Sequence, residues 1–304
     1  AGYITKLDWR WMFAIPIISV LFIPALVKNL PDEHAKGAQI DGWGFTLIGA
    51  FAGAVTMFFT DMNLLWSVAS IVTLVAFIVY INKAKDPFIT PAFFKNPAFV
   101  ATMVVIFVGY FFSYTLNAGV NAIGLDVFGL DSAQVSNLLV WSILLAAVLG
   151  FVCGPVVKKI GRSAAIIMAL LTMGLGLIAV AFAIPHGSIA ALAVAPCLYY
   201  YGTSFFYSPI VDTATLTVTP EESGRVLGAN DLIQAITGSV GVAIFGQMMS
   251  AGVMSGGSIA GTEAGAASTY ANVFLIGGVI VLSALVIFIL TKKMIYSRSR
   301  KDGE

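Results

Sequence analysis

The sequence SAAIIMALLTMGLGLIAVAFAIPHGSIAALAVAPCLYYYGTSFFYSPIV, residues 163–211, contains no Asp, Glu, Lys or Arg. A helix that crosses the hydrocarbon core of a bilayer needs roughly 20 apolar residues, so this run is long enough for two crossings. Near its middle, Pro185 and Gly187 disfavour a continuous helix and favour a tight turn. The stretch therefore predicts two antiparallel transmembrane helices joined by a hairpin.

The composition extends this interpretation to the whole chain. The 304 residues are 59% hydrophobic and 10% charged, with a mean hydropathy of +0.95, whereas soluble domains carry about 25% charged residues. We therefore expect the lipid bilayer to be the main partner of the surface. The net charge of +1 gives no electrostatic reason to expect nucleic acid as a partner.

Charged residues mark the ends of the predicted spans, because a charge at the bilayer centre costs at least ~2.5–3.5 kcal/mol. Backbone groups in lipid must be satisfied within the segment, so helices are expected. The fold class is therefore an all-α polytopic membrane protein with about nine transmembrane helices. Their predicted ranges are 11–27, 42–60, 62–82, 96–125, 132–157, 163–184, 189–211, 225–251 and 269–291.

The basic residues predict the orientation, since Lys and Arg accumulate in cytoplasmic loops. With the connections taken alternately, all but Lys6 and Arg10 of the 16 Lys and Arg residues fall on one side. The amino end is therefore expected outside, and the carboxy tail in the cytoplasm, of a multi-pass protein of the cell membrane. An odd number of spans that begins outside is unusual for a carrier built from paired repeats. We therefore expect a carboxy-terminal portion that lacks its amino-terminal helices; a complete nine-span protein is the alternative.

A series of short motifs along the chain resembles one family. The motifs are Gly2-Tyr3-Ile4, Asp8-Trp9-Arg10-Trp11-Met12-Phe13, Asp41-Gly42-Trp43-Gly44, Asp86-Pro87-Phe88, Phe93-Phe94-Lys95-Asn96, Pro220-Glu221-Glu222-Ser223-Gly224-Arg225, Gly228-Ala229-Asn230 and Gly238-Ser239-Val240-Gly241-Val242-Ala243-Ile244. In this order the chain resembles the fourteen-span drug:proton antiporters of the major facilitator superfamily, which include quaternary-ammonium and tetracycline exporters. The resemblance covers essentially the whole chain and identifies the nine helices with spans six to fourteen.

The resemblance implies a domain organisation and a function. Residues 1–28 would be the last helix of an amino-terminal bundle, 29–97 two extra linker helices with their loops, 98–291 a six-helix carboxy-terminal bundle, and 292–304 a basic tail. The implied function is proton-coupled efflux of drugs or other amphiphilic or cationic small molecules. The proton gradient would supply the energy, with no cofactor.

The loop before residue 163 resembles the second copy of the family's cytoplasmic gating loop, through Gly154, Lys158, Gly161 and Arg162. Lys158 stands where the family favours an aspartate, so the resemblance does not carry a salt-bridged gate to this loop. The alternative is that the basic cluster only fixes the topology.

Two acids are candidate functional sites, because an ionisable group in a span is costly: Asp231 lies inside the predicted span 225–251, and Asp212 lies at the end of the span 189–211. Both are equally far from the middle of the hairpin 220–224, so antiparallel helices would bring them to similar depth. Two neighbouring carboxylates cannot both ionise cheaply, which suits proton coupling. The alternatives are that Asp231 complements the positive end of its helix and that Asp212 reaches water.

Aromatic and polar residues that recur at helical spacing predict the wall of a substrate cavity. Such a wall suits a flat cationic or amphiphilic molecule through ring stacking and cation–π contact. The candidates are Tyr201, Phe205, Ser208, Asn230 and Gln234, with Tyr110, Tyr114 and Asn117 in second rank. For the last three, hydrogen bonding between helices is the alternative role.

Other functions remain open on this sequence. The same fold could carry a sugar or another metabolite, and a module that binds substrate without transport is a further alternative. An integral membrane enzyme would need a nucleophile with its base or a metal cluster. The sequence predicts neither, because His34 and His186 have no ligand partner at helical spacing. Fold alone does not decide among these functions.

Overall fold

The computed structural model describes residues 41–297 and, before them, residues 8, 10, 17 and 20–29. Regular structure within these residues is entirely helical. The helices are α1 (Ile23–Asn29), α2 (Gly42–Asp61), α3 (Leu64–Lys83), α4 (Pro91–Phe94), α5 (Pro97–Tyr110), α6 (Ser113–Ala122), α7 (Ser132–Ile160), α8 (Arg162–Ala183), α9 (Ile189–Thr215), α10 (Ser223–Ser250) and α11 (Ala266–Ile295). A π-helical turn, Ile123–Val127, follows α6, and a 3₁₀ turn, Pro220–Glu222, precedes α10.

Eight segments of the described chain are long and apolar enough to cross a membrane. One of them, Pro97–Val127, comprises α5, α6 and the π-helical turn. The predicted fold class, an all-α polytopic membrane protein, is therefore confirmed. The first predicted span, 11–27, is described only at residues 17 and 20–27, and α1 begins within it at Ile23. Residues 298–304, the end of the basic tail, lie outside the described residues.

Antiparallel helices bring the basic connections to one end of the bundle, which we call the basic end. There the side-chain N of Asn96 donates to the carbonyl O of Thr217 at 2.6 Å, and Arg225 forms an ion pair with Asp86. Within residues 41–297, the Lys and Arg residues at this end are Lys83, Lys85, Lys95, Lys158, Lys159, Arg162, Arg225, Lys292 and Lys293.

The centre of the bundle lies where α8 packs against α9 and α11. Glycines permit the close approach: a Cβ on Gly176 would lie 2.5 Å from the backbone N of Tyr199, and one on Gly202 would lie 2.6 Å from the carbonyl O of Ala169. Small residues are the usual means of such contact, because lipid gives no hydrophobic drive to helix association.

The span Pro97–Val127 is broken in its middle. α5 ends at Tyr110, a turn follows, and α6 begins at Ser113. α10 crosses this turn so closely that a Cβ on Gly241 would overlap the carbonyl O of Phe111. The Phe112 ring fills the space inside, 4.6 Å from the ring centroid of Phe245. The sequence predicted only one span here, because no proline marks the break.

The antiparallel hairpin of α2 and α3 packs on α10, and hydrogen bonds to Asp41 connect its two helices. The Asp41 carboxylate accepts hydrogen bonds from the backbone N–H groups of Gly44 and Phe88, each at 2.8 Å, and from the Tyr80 hydroxyl at 2.5 Å. Burial raises the pKa of Asp41, but these three hydrogen bonds outweigh it and hold the pKa below its ordinary value. Asp41 thus joins the start of α2, the end of α3 and the segment before α4.

We expect Asp41→Ala to lower the thermal stability of the protein, because three donors lose their acceptor, at a cost of about 1–3 kcal/mol. The folded pKa of Asp41 lies below the unfolded one. Its stabilisation is therefore complete above the ordinary aspartate value of about 3.9 and is lost as the pH falls through the lower folded value. Melting temperatures across a pH series should show a difference between wild type and variant that shrinks at the acid end.

The matched control is Asp61→Ala, since Asp61 is an exposed acid at the other end of α2. This variant should melt no earlier than the wild type. Equal losses in both variants would contradict the anchoring role of Asp41.

Candidate functional site

Asp231 lies two turns into α10, about 12 Å along the helix axis from its start at a rise of 1.5 Å per residue. Its Oδ1 accepts hydrogen bonds from the Tyr207 hydroxyl of α9 at 3.1 Å and from the Asn230 side-chain N at 2.9 Å. Both donors are neutral. Among the described residues, no Lys or Arg lies within ion-pair distance of this carboxylate. Asp231 is thus an acid inside a span that accepts hydrogen bonds and has no counter-charge among the described residues.

Asp231 and Tyr207 are exposed on one open side of the bundle, Tyr207 to 45%. Behind them lie buried polar atoms with unused hydrogen-bonding capacity. The Tyr110 ring lies 5.2 Å from the ring of Phe206, the residue before Tyr207 on α9. Neither the Tyr110 hydroxyl nor the Asn230 Oδ1 has a hydrogen-bond partner in the described part of the chain. Buried polar atoms of this kind can bind water or a polar group of a solute.

Asp212 occupies a different position from the one expected. α9 ends at Thr215, so Asp212 lies in its last turn and forms an ion pair with Arg162 at the start of α8. The two acids therefore differ in depth and have different partners. The sequence argument placed them at equal depth because it counted both helices up to the hairpin 220–224, whereas the chain leaves the helix before Leu216.

The substrate-cavity candidates divide into two groups. Tyr114, Asn117 and Ser208 are exposed, and Gln234 is half-buried one turn after Asp231. The Tyr114 ring covers Gly238, where a Cβ would lie 2.6 Å from it.

Tyr201 and Phe205 face inward instead. Phe205 is only 2% exposed, and the Tyr201 hydroxyl approaches the Met168 sulfur of α8 at 3.5 Å. The two rings lie 5.2 Å apart on α9, away from the exposed Tyr114, Asn117 and Ser208, and their place in a substrate cavity stays a prediction.

Sequence reasoning missed Tyr207 and Tyr200. The Tyr200 hydroxyl lies beside Asn117 without a well-aligned hydrogen bond, and Tyr207 donates to Asp231. Tyr199, Tyr200 and Tyr201 are consecutive, so the run offers a tyrosine to three faces of the helix. Tyr200 and Tyr207 are seven residues apart and therefore lie on the same face of the helix. The predicted cavity wall instead followed the face that begins at Tyr201.

The loop expected to act as a gate is reduced to one residue, Gly161, between α7 and α8. Its φ of +84° lies in the left-handed region that favours glycine. Lys158, Gly161 and Arg162 line a cavity of about 860 Å³ at the basic end, together with Asp212. Gly154 lies apart from this cavity, exposed on α7. The charge contact of the loop is therefore Arg162–Asp212, and Lys158 takes no part in it.

Comparison with known proteins gives consistent matches. A family model described as Major Facilitator Superfamily matches residues 1–242. The chain is 21% identical over 266 residues to the multidrug transporter protein MdtP of Bacillus subtilis, covering 82% of this chain and 48% of that protein. It is 24% identical over 261 residues to the quinolone resistance protein NorB of Staphylococcus aureus strain MRSA252, covering 80% and 55%. The chain spans about half the length of these relatives.

Proposed function

Because this chain belongs to the major facilitator superfamily of transporters, we propose that it forms the carboxy-terminal part of a proton-coupled exporter of drugs or other amphiphilic molecules. The observation that carries the proposal is Asp231, an acid inside a span whose hydrogen-bond donors, Tyr207 and Asn230, are both neutral. The names of the relatives, which concern multidrug transport and quinolone resistance, support an amphiphilic substrate.

Asp231 would exchange its proton without breaking an ion pair, which distinguishes it from Asp212. When ionised, it attracts a cationic or polar substrate group to the open face. When protonated, it loses that attraction, so proton binding and substrate binding compete. Competition for one carboxylate is a direct way to exchange a proton against a solute, since an effector shifts binding only through its differential affinity.

The open face would form one wall of the substrate path. Tyr114 and Tyr207 offer exposed rings for stacking, and Asn117 and Ser208 offer hydrogen-bonding groups. The remaining helices of the carrier would supply the opposite wall, because transporters of this kind bind solute between two repeats near the midplane. The basic end would face the cytoplasm of the cell.

Reconstitution of the complete carrier into proteoliposomes with an acidic interior tests the proposal. Addition of ethidium or a fluoroquinolone outside should release protons from the lumen, seen as recovery of a pH-sensitive dye. The solute should accumulate inside until a protonophore collapses the gradient. Transport that is indifferent to the protonophore would contradict proton coupling, and transport of a sugar instead would contradict the substrate class.

A further inference from the structure

The hairpin of α2 and α3 leaves a cavity where it meets the bundle. This cavity, of about 620 Å³, lies between the hairpin, α5 and α10, and its wall includes Phe51, Phe77, Phe107 and Ile236. A neighbouring apolar cavity of about 260 Å³ shares Phe107 with it, as well as Phe94 and Ile233. Small-molecule sites occupy about 300–1,000 Å³ and have mostly apolar walls, so the space has the size and character of a binding site.

Three polar side chains line the larger cavity, and their positions show how far it extends along the helices. Asn82 and Lys95 lie at the basic end, whereas Thr237 lies about 21 Å further along α10 from its start, at 1.5 Å per residue. Half of a hydrocarbon core is about 15 Å. The cavity therefore extends from the interface to about the middle of the membrane, which is the reach of one acyl chain in one leaflet.

The two ends of the cavity differ in charge. Lys95 is exposed and forms no ion pair with any described residue. Thr237 is fully buried, and its hydroxyl has no partner in the described chain. A cation at the mouth of an apolar cavity attracts an anion that carries a hydrocarbon chain, and it repels a cationic drug.

We propose that this cavity binds one acyl chain of an anionic phospholipid from the surrounding bilayer, with the headgroup phosphate at Lys95. The chain would lie between the hairpin and α10, along Phe77 and Ile233, and would fill space that the helices leave open. This site is separate from the open face around Asp231. The proposal is therefore independent of the proposed transport mechanism.

Native mass spectrometry of the full chain, released from vesicles of equal phosphatidylglycerol and phosphatidylcholine, tests the proposal. The wild type should retain one phosphatidylglycerol. Lys95→Gln should reduce that retention about tenfold, the loss expected for a charge-assisted contact. The matched control is Lys159→Gln, at the same end but outside both cavities, and it should retain the lipid.

Ile233→Trp should also displace the lipid by filling the cavity, and Val286→Trp, on the lipid-exposed side of α11, is its control. If Ile233→Trp fails to fold, Ile78→Trp fills the same space from α3. Equal retention in wild type and Lys95→Gln would overturn the headgroup assignment. Lipid retention at the wild-type level in Ile233→Trp and Ile78→Trp would overturn the location of the acyl chain. Preferential retention of oleate over phosphatidylglycerol would show that the ligand is a free fatty acid rather than a phospholipid.

Discussion

Asp231→Asn is expected to abolish gradient-driven export by the complete carrier and to leave the protein folded. Asparagine has the shape of a protonated aspartic acid and offers an oxygen to Tyr207 and Asn230, which donate to the carboxylate in the wild type. It cannot take up or release a proton. In proteoliposomes, substrate-dependent proton release should fall to the level of vesicles without protein.

A second readout separates coupling from folding. Exchange of labelled for unlabelled substrate without a pH gradient needs binding and reorientation but no net proton transfer, so Asp231→Asn should retain it. Asp61→Asn, an exposed acid at the end of α2, is the control and should behave as the wild type in both assays. Undiminished gradient-driven export by Asp231→Asn would show that Asp231 is not the residue that couples export to protons.

Gly241→Ala is expected to have the largest effect on stability. The added methyl group would overlap the carbonyl O of Phe111, and a backbone atom cannot rotate away as the end of a side chain can. Overpacking in cores costs about 1–3 kcal/mol, and more where nothing can yield. We expect a lower melting temperature and a smaller monodisperse fraction on size exclusion in detergent.

Gly246→Ala is the matched control, because Gly246 lies five residues later on α10 and an added Cβ there meets open space. Alanine is the better helix former by about 1 kcal/mol, so this variant should be as stable as the wild type or slightly more so. A similar loss of stability in both variants would rule out the Phe111 contact as the cause.

The helical spans could be predicted from the sequence because charged residues are excluded from the bilayer interior and so mark the ends of each span. The face that a span turns toward the bundle could not be predicted, since lipid and protein core are both apolar and the periodicity of polar residues along α9 is weak. Tyr201 and Phe205 were therefore predicted to line a substrate cavity, although Phe205 is buried and the Tyr201 hydroxyl approaches Met168 of α8. Asp231 was found because an acid in a span is rare.

The depth of Asp212 and the break at Phe111 were missed for a related reason. Both depend on where a helix ends, and these ends are fixed by tertiary contacts. α9 stops at Thr215, before the hairpin that seemed to mark its end. The break between α5 and α6 occurs where α10 crosses at Gly241. Local helix propensity does not report such tertiary contacts, so these helix ends could not be predicted from the sequence alone.

Both donors to Asp231, from Tyr207 and from Asn230, reach the same oxygen, Oδ1. In the part of the chain that the structure describes, no donor is assigned to Oδ2. A carboxylic acid has one O–H group and keeps the acceptor capacity of its other oxygen. An arriving proton can therefore reside on Oδ2 while α9 and α10 keep their existing link through Oδ1. The acid would change its charge on a fixed scaffold, with no hydrogen bond to break first.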